Sequence, residues 1–448
     1  MDWDLVLEGL AKNWGLVLFL GLVVLYAAYS QWLGRFSITM PMIFVFIGAL
    51  VGPHALDWVS YSLTASSVKT LTEVTLALLL FADAVTVNFI HVRADAPLSG
   101  RLLLIGQPLI ILLGGLAAFA FFPGQGLGFA LLLGTVLAPT DEALGTRFLN
   151  NPRVPVRVRR SLHVESGLND GIASPLVVLF IAMMLQDYSG VGDFWVLVAL
   201  AQIAIGTGVG LVLGWGSGWL FRHAVEKKWA SKAARQLANP ALALLVYFGA
   251  SALGGNGFVA VFMAGIVFGF ATRKLLQDWT EYTEITGNLL SLFVWARLGS
   301  TLVIPLLQSF NLQGFLYALL SLTAVRMIPV AIALVGTRLR PDTKLMMGWL
   351  GPRGLASVVF MLMAYEAAKA AGIETGNLVT AASWTILLSV LLHGFSALPL
   401  ANWYARRLET ASPDAPELVD LPELATRHRT WHDFLHLPDL EGQTANEK

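Results

Sequence analysis

The sequence predicts an all-α, polytopic membrane protein of about 13 transmembrane helices, with inverted repeats and two helices broken within the bilayer. Three observations carry that expectation. Of 448 residues, 56% are apolar and 13% charged, and the mean hydropathy is +0.68, values that fit a chain whose solvent is lipid. Apolar stretches recur along nearly the whole length, many close to the roughly 20 residues that a helix needs to cross the hydrocarbon. Basic residues fall in alternate connections between those stretches.

The first stretch follows Met1 to Asn13, a short acidic and amphipathic leader without the basic start and small-residue cleavage site of a signal peptide, so it is expected to persist as a mature helix. Hydropathy and turn signals place spans near 14–33, 38–52, 70–90, 101–122, 126–147, 161–185, 194–221, 239–254, 256–272, 285–307, 313–336, 345–368 and 377–400. These runs are too long for the strands of a membrane barrel and lack period-two alternation. Helices are the remaining way to satisfy the backbone in lipid.

One set of loops carries Arg35; Arg93 and Arg101; Arg147, Arg153, Arg157, Arg159 and Arg160; Arg222, Lys227, Lys228, Lys232 and Arg235; Arg273 and Lys274; and Arg338, Arg340 and Lys344. The other set holds only Lys12, Lys69 and Lys369. The positive-inside rule then puts the N-terminus outside and the C-terminus in the cytoplasm, in the cell (inner) membrane, which requires an odd number of spans. Residues 1–402 form the transmembrane domain and 403–448 a short polar cytoplasmic tail. In that tail His428, His432 and His436 align on one helix face, as a pH sensor or metal site would require, although an amphipathic or disordered end is the simpler reading. Zero cysteines exclude disulfides and thiolate chemistry. The balance of 29 basic and 29 acidic residues argues against a nucleic-acid partner.

Two spans contain proline inside an apolar helical run: Gly134-Thr-Val-Leu-Ala-Pro139-Thr-Asp141 in the fifth and Gly348-Trp-Leu-Gly-Pro352-Arg353-Gly354 in the twelfth. Each proline removes a backbone donor and should kink or unwind its helix. A charged residue accompanies both breaks, and half-helices with polar residues are a recurring way to hold an ion. An odd separation makes these two spans cross in opposite directions, as in an inverted repeat that matches spans four to six with eleven to thirteen.

The ionisable residues at membrane depth are Asp83, Asp141, Glu142, Glu165, Asp170, Arg297, Arg326 and Arg353. Such groups are costly in lipid and face protein or water. On the sixth span, Glu165, Ser166, Asn169 and Asp170 occupy about 140° of one helix face. Their oxygens, with backbone carbonyls freed at Pro139, suit a small hard cation. A carboxylate there can hold a proton or a cation, and competition between the two is sufficient for antiport when the empty site cannot change sides. Asp170 is expected to titrate, whereas Glu165 pairs with a buried arginine, for which Arg326 is preferred. Arg353 is placed to offset half-helix dipoles.

At these residues the chain resembles the sodium/proton antiporters of the cation/proton antiporter-1 family, the bacterial and archaeal NhaP-like branch related to animal sodium/hydrogen exchangers. The resemblance covers roughly residues 14–400 and rests above all on Glu165-Ser-Gly-Leu-Asn169-Asp170-Gly. Pro139-Thr140-Asp141, Phe81-Ala-Asp83-Ala, Gly257-Phe-Val-Ala-Val-Phe-Met-Ala-Gly265, Arg326-Met-Ile-Pro329 and the twelfth-span motif follow in the family's order. It implies the NhaA/NhaP-like antiporter fold, with the two broken helices crossing. It implies ion coordination by Asp170, Asp141, Ser166 and the Thr140 carbonyl, and a Glu165–Arg326 pair steadied by Asn169. It also implies a homodimer embedded in membrane lipid, whose core helices, about 101–185 and 313–400, move against a dimer-forming panel. The Asn-Asp pair resembles the electroneutral class, which implies one H+ per monovalent cation, with Na+ preferred, Li+ or K+ as alternatives, and no cofactor. Two departures stand out: Arg297 in Trp295-Ala-Arg297-Leu-Gly299, and Glu142 where this branch often has proline.

Other classes fit less well. An intramembrane aspartyl protease also needs two aspartates on neighbouring helices, but its aspartates resemble Tyr-Asp and Gly-x-Gly-Asp contexts, and here they follow Thr140 and Asn169. A cation channel would need a filter loop, which the sequence does not offer.

Overall fold

The computed structural model describes residues 3–34, 36–58, 65–86, 98–189, 194–272, 280–412 and 414–419, and every regular element among them is helical. In chain order these are α1 (Trp3–Gly34), α2 (Met40–Val51), α3 (Ala65–Thr86), α4 (Leu98–Phe121), α5 (Gly126–Val136), α6 (Glu142–Leu149), α7 (Val156–Ser189) and α8 (Phe194–Glu226). They continue with α9 (Lys232–Ala252), α10 (Gly257–Thr272), α11 (Glu281–Gln308), α12 (Leu312–Leu322), α13 (Ala324–Ala333), α14 (Pro341–Trp349), α15 (Leu355–Ala370) and α16 (Gly376–Leu408). A short 3₁₀ turn, Pro416–Leu418, follows.

The helices follow the expected segments in order, three of which come in two pieces. Two interruptions are those anticipated at Pro139 and Pro352. The third is at Thr323, between α12 and α13, where φ −108° and ψ −96° leave the helical region. No proline marks it in the sequence. Helix ends also differ from hydropathy: α1 takes in the leader from Trp3, and α16 runs on to Leu408, past the expected tail boundary. Hydropathy reports the apolar part of a helix, whereas backbone hydrogen bonding carries it into the polar interface. The tail histidines 428, 432 and 436 lie outside the described residues.

Among the described residues, six helices are long and apolar enough to cross a membrane: α4, α7, α8, α11, the α12–α13 pair and α16. Large apolar side chains such as Phe46, Leu104, Val212 and Trp215 stand exposed on outer faces, as expected where the surroundings are lipid tails. Inside, packing relies on small residues. Gly206, Gly210, Gly214 and Gly218 form a buried stripe on α8, and a Cβ at any of them would overlap Asn256, Ala260, Ala264 or Ala271. Close approach of backbones is how helices associate without a hydrophobic driving force.

Packing falls into two groups. α10 lies against α3 and α8, α11 against α2 and α3, and α9 against α10. In the other group α5 packs between α4 and α7, α16 meets α6 and α12, and α13 meets α4 and α14. The groups adjoin where α7 packs against α8, α3 and α10, and where α15 touches α3 and α11. On α7, Pro175 removes a helical donor, and the Ser174 hydroxyl takes up the carbonyl of Gly171 at 3.1 Å, so the helix continues unbroken. The 3₁₀ turn docks back on the bundle: Glu417 is fully buried and accepts from the Arg340 backbone N–H at 2.7 Å and the Thr343 hydroxyl at 2.8 Å. Arg157 of α7 donates to the Pro416 carbonyl at 2.6 Å.

Candidate functional site

The α5–α6 and α14–α15 breaks touch each other. The backbone N–H of Asp141 donates to the Pro352 carbonyl at 2.8 Å, so the two extended segments hydrogen-bond where they cross. Asp141 ends the first break as the N-cap of α6: its Oδ1 accepts from Ala143 N–H at 2.8 Å, and its Oδ2 accepts from Leu355 N–H of α15 at 2.9 Å. One carboxylate thus meets the positive ends of two half-helices. Gly354 is required for this approach, because a Cβ there would overlap the carboxylate. Opposite, the fully buried Arg353 sends Nη1 to the Ala138 carbonyl at 2.9 Å and the Pro139 carbonyl at 3.4 Å, just past the C-terminal end of α5. A cation there offsets the negative end of that half-helix.

α7 runs past the crossing with its polar face towards it. Ser166 Oγ donates to the Thr140 carbonyl at 2.6 Å, and the Asn169 amide donates to Thr140 Oγ1 at 2.7 Å. Gln107 of α4, which the sequence expectations do not include, donates to the Asn169 carbonyl at 2.8 Å. A narrow polar cavity, large enough for water-sized occupants, is lined by Thr140, Asp141, Ser166 and Asp170 on one side. Asn288, Ser291 and Trp295 of α11 line its other side, with Leu76 and Leu79 of α3. The structure therefore gathers all four expected ligand residues, and adds α11, whose contribution has no motif in the sequence.

Glu165 and Arg326 meet as a buried, two-pronged pair: Nη1 to Oε1 at 2.5 Å and Nη2 to Oε2 at 2.9 Å. Both residues are almost fully buried, at 2% and 1% exposure, so each charge depends on the other. The interruption at Thr323 lies three residues before Arg326, whose own N–H bonds the Thr323 carbonyl at 3.1 Å. Gly351 leaves room for the guanidinium, which a Cβ would strike. The Asn169 amide, by donating to Thr140 Oγ1, braces the first break.

The remaining buried charges fall around this centre. Glu142 is 4% exposed and lies 2.6 Å from His163 Nδ1 on α7, which ties the start of α6 to α7. Asp83 is buried on α3 against Gly167. Arg297 precedes a π turn, Gly299–Val303, and its carbonyl accepts from the Ser300 and Thr301 hydroxyls at 2.9 and 2.8 Å. His393 and Ser389 of α16 attach to the second break, with the imidazole 3.0 Å from the Trp349 carbonyl and Ser389 Oγ accepting from Arg353 N–H at 2.5 Å. A lone histidine in the apolar run from Leu391 to Phe395 is the signal that marks it in the sequence.

The comparisons with known proteins agree with this architecture. The K(+)/H(+) antiporter NhaP of Alkalimonas amylolytica is 24% identical over 405 residues, covering 90% of this chain and 68% of that protein. The probable Na(+)/H(+) antiporter 2 of Methanocaldococcus jannaschii is 27% identical over 314 residues, covering 63% of this chain and 72% of its own length. A K(+)/H(+) antiporter NhaP2 from Shewanella baltica is 24% identical over 380 residues, and the chain spans only 63% of its length. Two structures of the sodium proton antiporter MjNhaP1 from Methanocaldococcus jannaschii share the fold, with TM-scores of 0.67 and 0.69 at 20% identity; they cover 88% and 90% of this chain and all of theirs. A family model described as sodium/hydrogen exchanger, transmembrane, matches residues 19–403. The chain belongs to that family, which is one of integral membrane cation/proton antiporters and not of enzymes.

Proposed function

We propose that the protein exchanges a monovalent cation for H+ across a membrane, with cation and proton competing at Asp170. The observation that carries this reading is the convergence of Asp141, Asp170, Ser166 and Thr140 on one cavity at the crossing of two broken helices. Backbone breaks at membrane depth are tolerated where they enclose a site, and oxygen donors suit an alkali cation.

Asp141 is the fixed acceptor of the pair, since both its oxygens cap helices. Asp170 lines the same cavity and is the group assigned to cycle between proton and cation. Cation entry requires the Ser166 hydroxyl to turn away from the Thr140 carbonyl, which frees two oxygens at once as ligands. With Asn169 beside it neutral and engaged, one carboxylate cycles, and exchange is electroneutral at one H+ per cation. No cofactor is needed.

Transport proceeds by alternating access. The group containing the crossing, residues about 101–185 and 313–400, is assigned as the moving core, and the remaining helices as the panel of a homodimer in membrane lipid. The N-terminus lies outside and the C-terminus in the cytoplasm of the cell (inner) membrane. Sodium is the first expectation for the cation. Potassium is the second reading, favoured by the names of the Alkalimonas and Shewanella relatives.

Purified protein in liposomes with an imposed pH gradient tests the proposal. Proton efflux should follow addition of Na+, K+ or Li+ and be unchanged when the membrane potential is clamped. Proton flux without any cation, or unitary currents of channel size, would contradict it.

A further inference from the structure

Polar side chains of α16 hold both ends of the α14–α15 break. His393 is fully buried, and its Nε2 lies 3.0 Å from the carbonyl oxygen of Trp349, the last residue of α14. Nδ1 lies 3.2 Å from the Ser389 hydroxyl and 3.1 Å from the Ser389 carbonyl, and the Ser389 hydroxyl oxygen accepts the Arg353 backbone N–H at 2.5 Å. The Trp349 indole adds another tie, donating from Nε1 to Ser396 Oγ at 2.9 Å. Unmatched backbone groups are expensive in lipid. These side chains supply the matches that the missing helical turn cannot.

The consequence reaches the ion site. Arg353, whose N–H Ser389 fixes, holds the Ala138 carbonyl at 2.9 Å, and its neighbour Pro352 receives the Asp141 N–H at 2.8 Å. The route from His393 through Ser389 to Arg353 therefore sets the height at which one break crosses the other. With it go the positions of the Asp141 carboxylate and, one residue earlier, the Thr140 carbonyl.

We propose that His393, acting with Ser389, is a positioning residue for the cation site: it touches no ion and holds the crossing at the height that places Asp141 and Thr140 in the cavity. This rests on the exchange reading above. A positioning role predicts a change in cation affinity that a merely packed histidine would not give, because ligand geometry and bundle stability are separate quantities.

The test compares wild type, His393→Leu, His393→Gln and Ser389→Ala in liposomes, reading the apparent KM for Na+ and K+, the maximal rate and the melting temperature of each. The glutamine amide can reach the Trp349 carbonyl as Nε2 does. We expect His393→Leu and Ser389→Ala to raise the cation KM about tenfold, the size of a lost buried hydrogen bond, and His393→Gln to stay within about twofold of wild type. If His393→Leu does not fold, Ser389→Ala and His393→Gln decide the matter. A wild-type KM in Ser389→Ala, or a His393→Gln KM raised as much as that of Ser389→Ala, overturns the proposal. Absence of cation-driven proton flux in wild type would instead overturn the exchange reading, so the two failures are distinguishable.

Discussion

Oδ2 of Asp141 lies 2.9 Å from the backbone nitrogen of Leu355, so a carboxylate from one half of the fold caps a helix in the other. Its second oxygen caps its own helix, α6. Asp141→Ala should therefore lower stability as well as abolish exchange, by about 1 to 2 kcal/mol for each lost cap. Asp141→Asn keeps one acceptor oxygen and should lose about half as much while still abolishing exchange. Thermal unfolding in detergent, set beside proton flux in liposomes, checks both. Wild-type stability in Asp141→Ala would show that the double cap contributes nothing.

The Glu165–Arg326 pair is buried on both sides. Removing one partner leaves an uncompensated charge, so Glu165→Leu or Arg326→Met alone should destabilise by about 3 to 5 kcal/mol. The double variant should be more stable than either single one, since no charge is stranded. A thermodynamic cycle on the four proteins measures this. Additive losses would mean that the two residues act separately.

Ser166 donates its hydroxyl to the Thr140 carbonyl at 2.6 Å. Ser166→Ala removes one candidate ligand and leaves the carbonyl open, so we expect the cation KM to rise roughly five- to tenfold, the worth of one neutral hydrogen-bonding oxygen, with exchange retained. A sodium titration of the liposome flux checks it. Unchanged KM would remove Ser166 from the set of ligands.

Glu417 brings the segment after α16 back onto the start of α14, where it meets the Arg340 N–H and the Thr343 hydroxyl. Glu417→Ala should cost about 1 to 3 kcal/mol, since it leaves buried donors unmatched. Truncation after Ala411 should cost at least as much. Melting temperatures of both variants report the loss, and an unchanged value in either would show that the docked turn is incidental.

How much of this was legible in the sequence depends on the kind of signal. Pro139 and Pro352 interrupt apolar runs, and proline acts locally, so both breaks could be placed. Glu165, Ser166, Asn169 and Asp170 share a face because of helical period alone. The break at Thr323 has no such mark, although it lies three residues before Arg326. Asn169 has two helices within reach, and spacing along α7 does not say which one receives its amide. Asn288, Ser291 and Trp295 complete the cavity from a helix more than 100 residues distant in sequence, and Glu417 is buried by a chain reversal that hydropathy does not register. Contacts of that kind are set by tertiary packing.

One carboxylate, Asp170, is assigned to carry proton and cation in turn. The most direct test is the apparent KM for the transported cation as a function of pH in liposomes, for wild type and Asp170→Asn. Competition predicts that KM rises about tenfold for each unit of pH below the titration of the site, with the maximal rate unchanged, and that Asp170→Asn shows no cation-dependent proton flux. A KM independent of pH, or exchange that survives in Asp170→Asn, would contradict it.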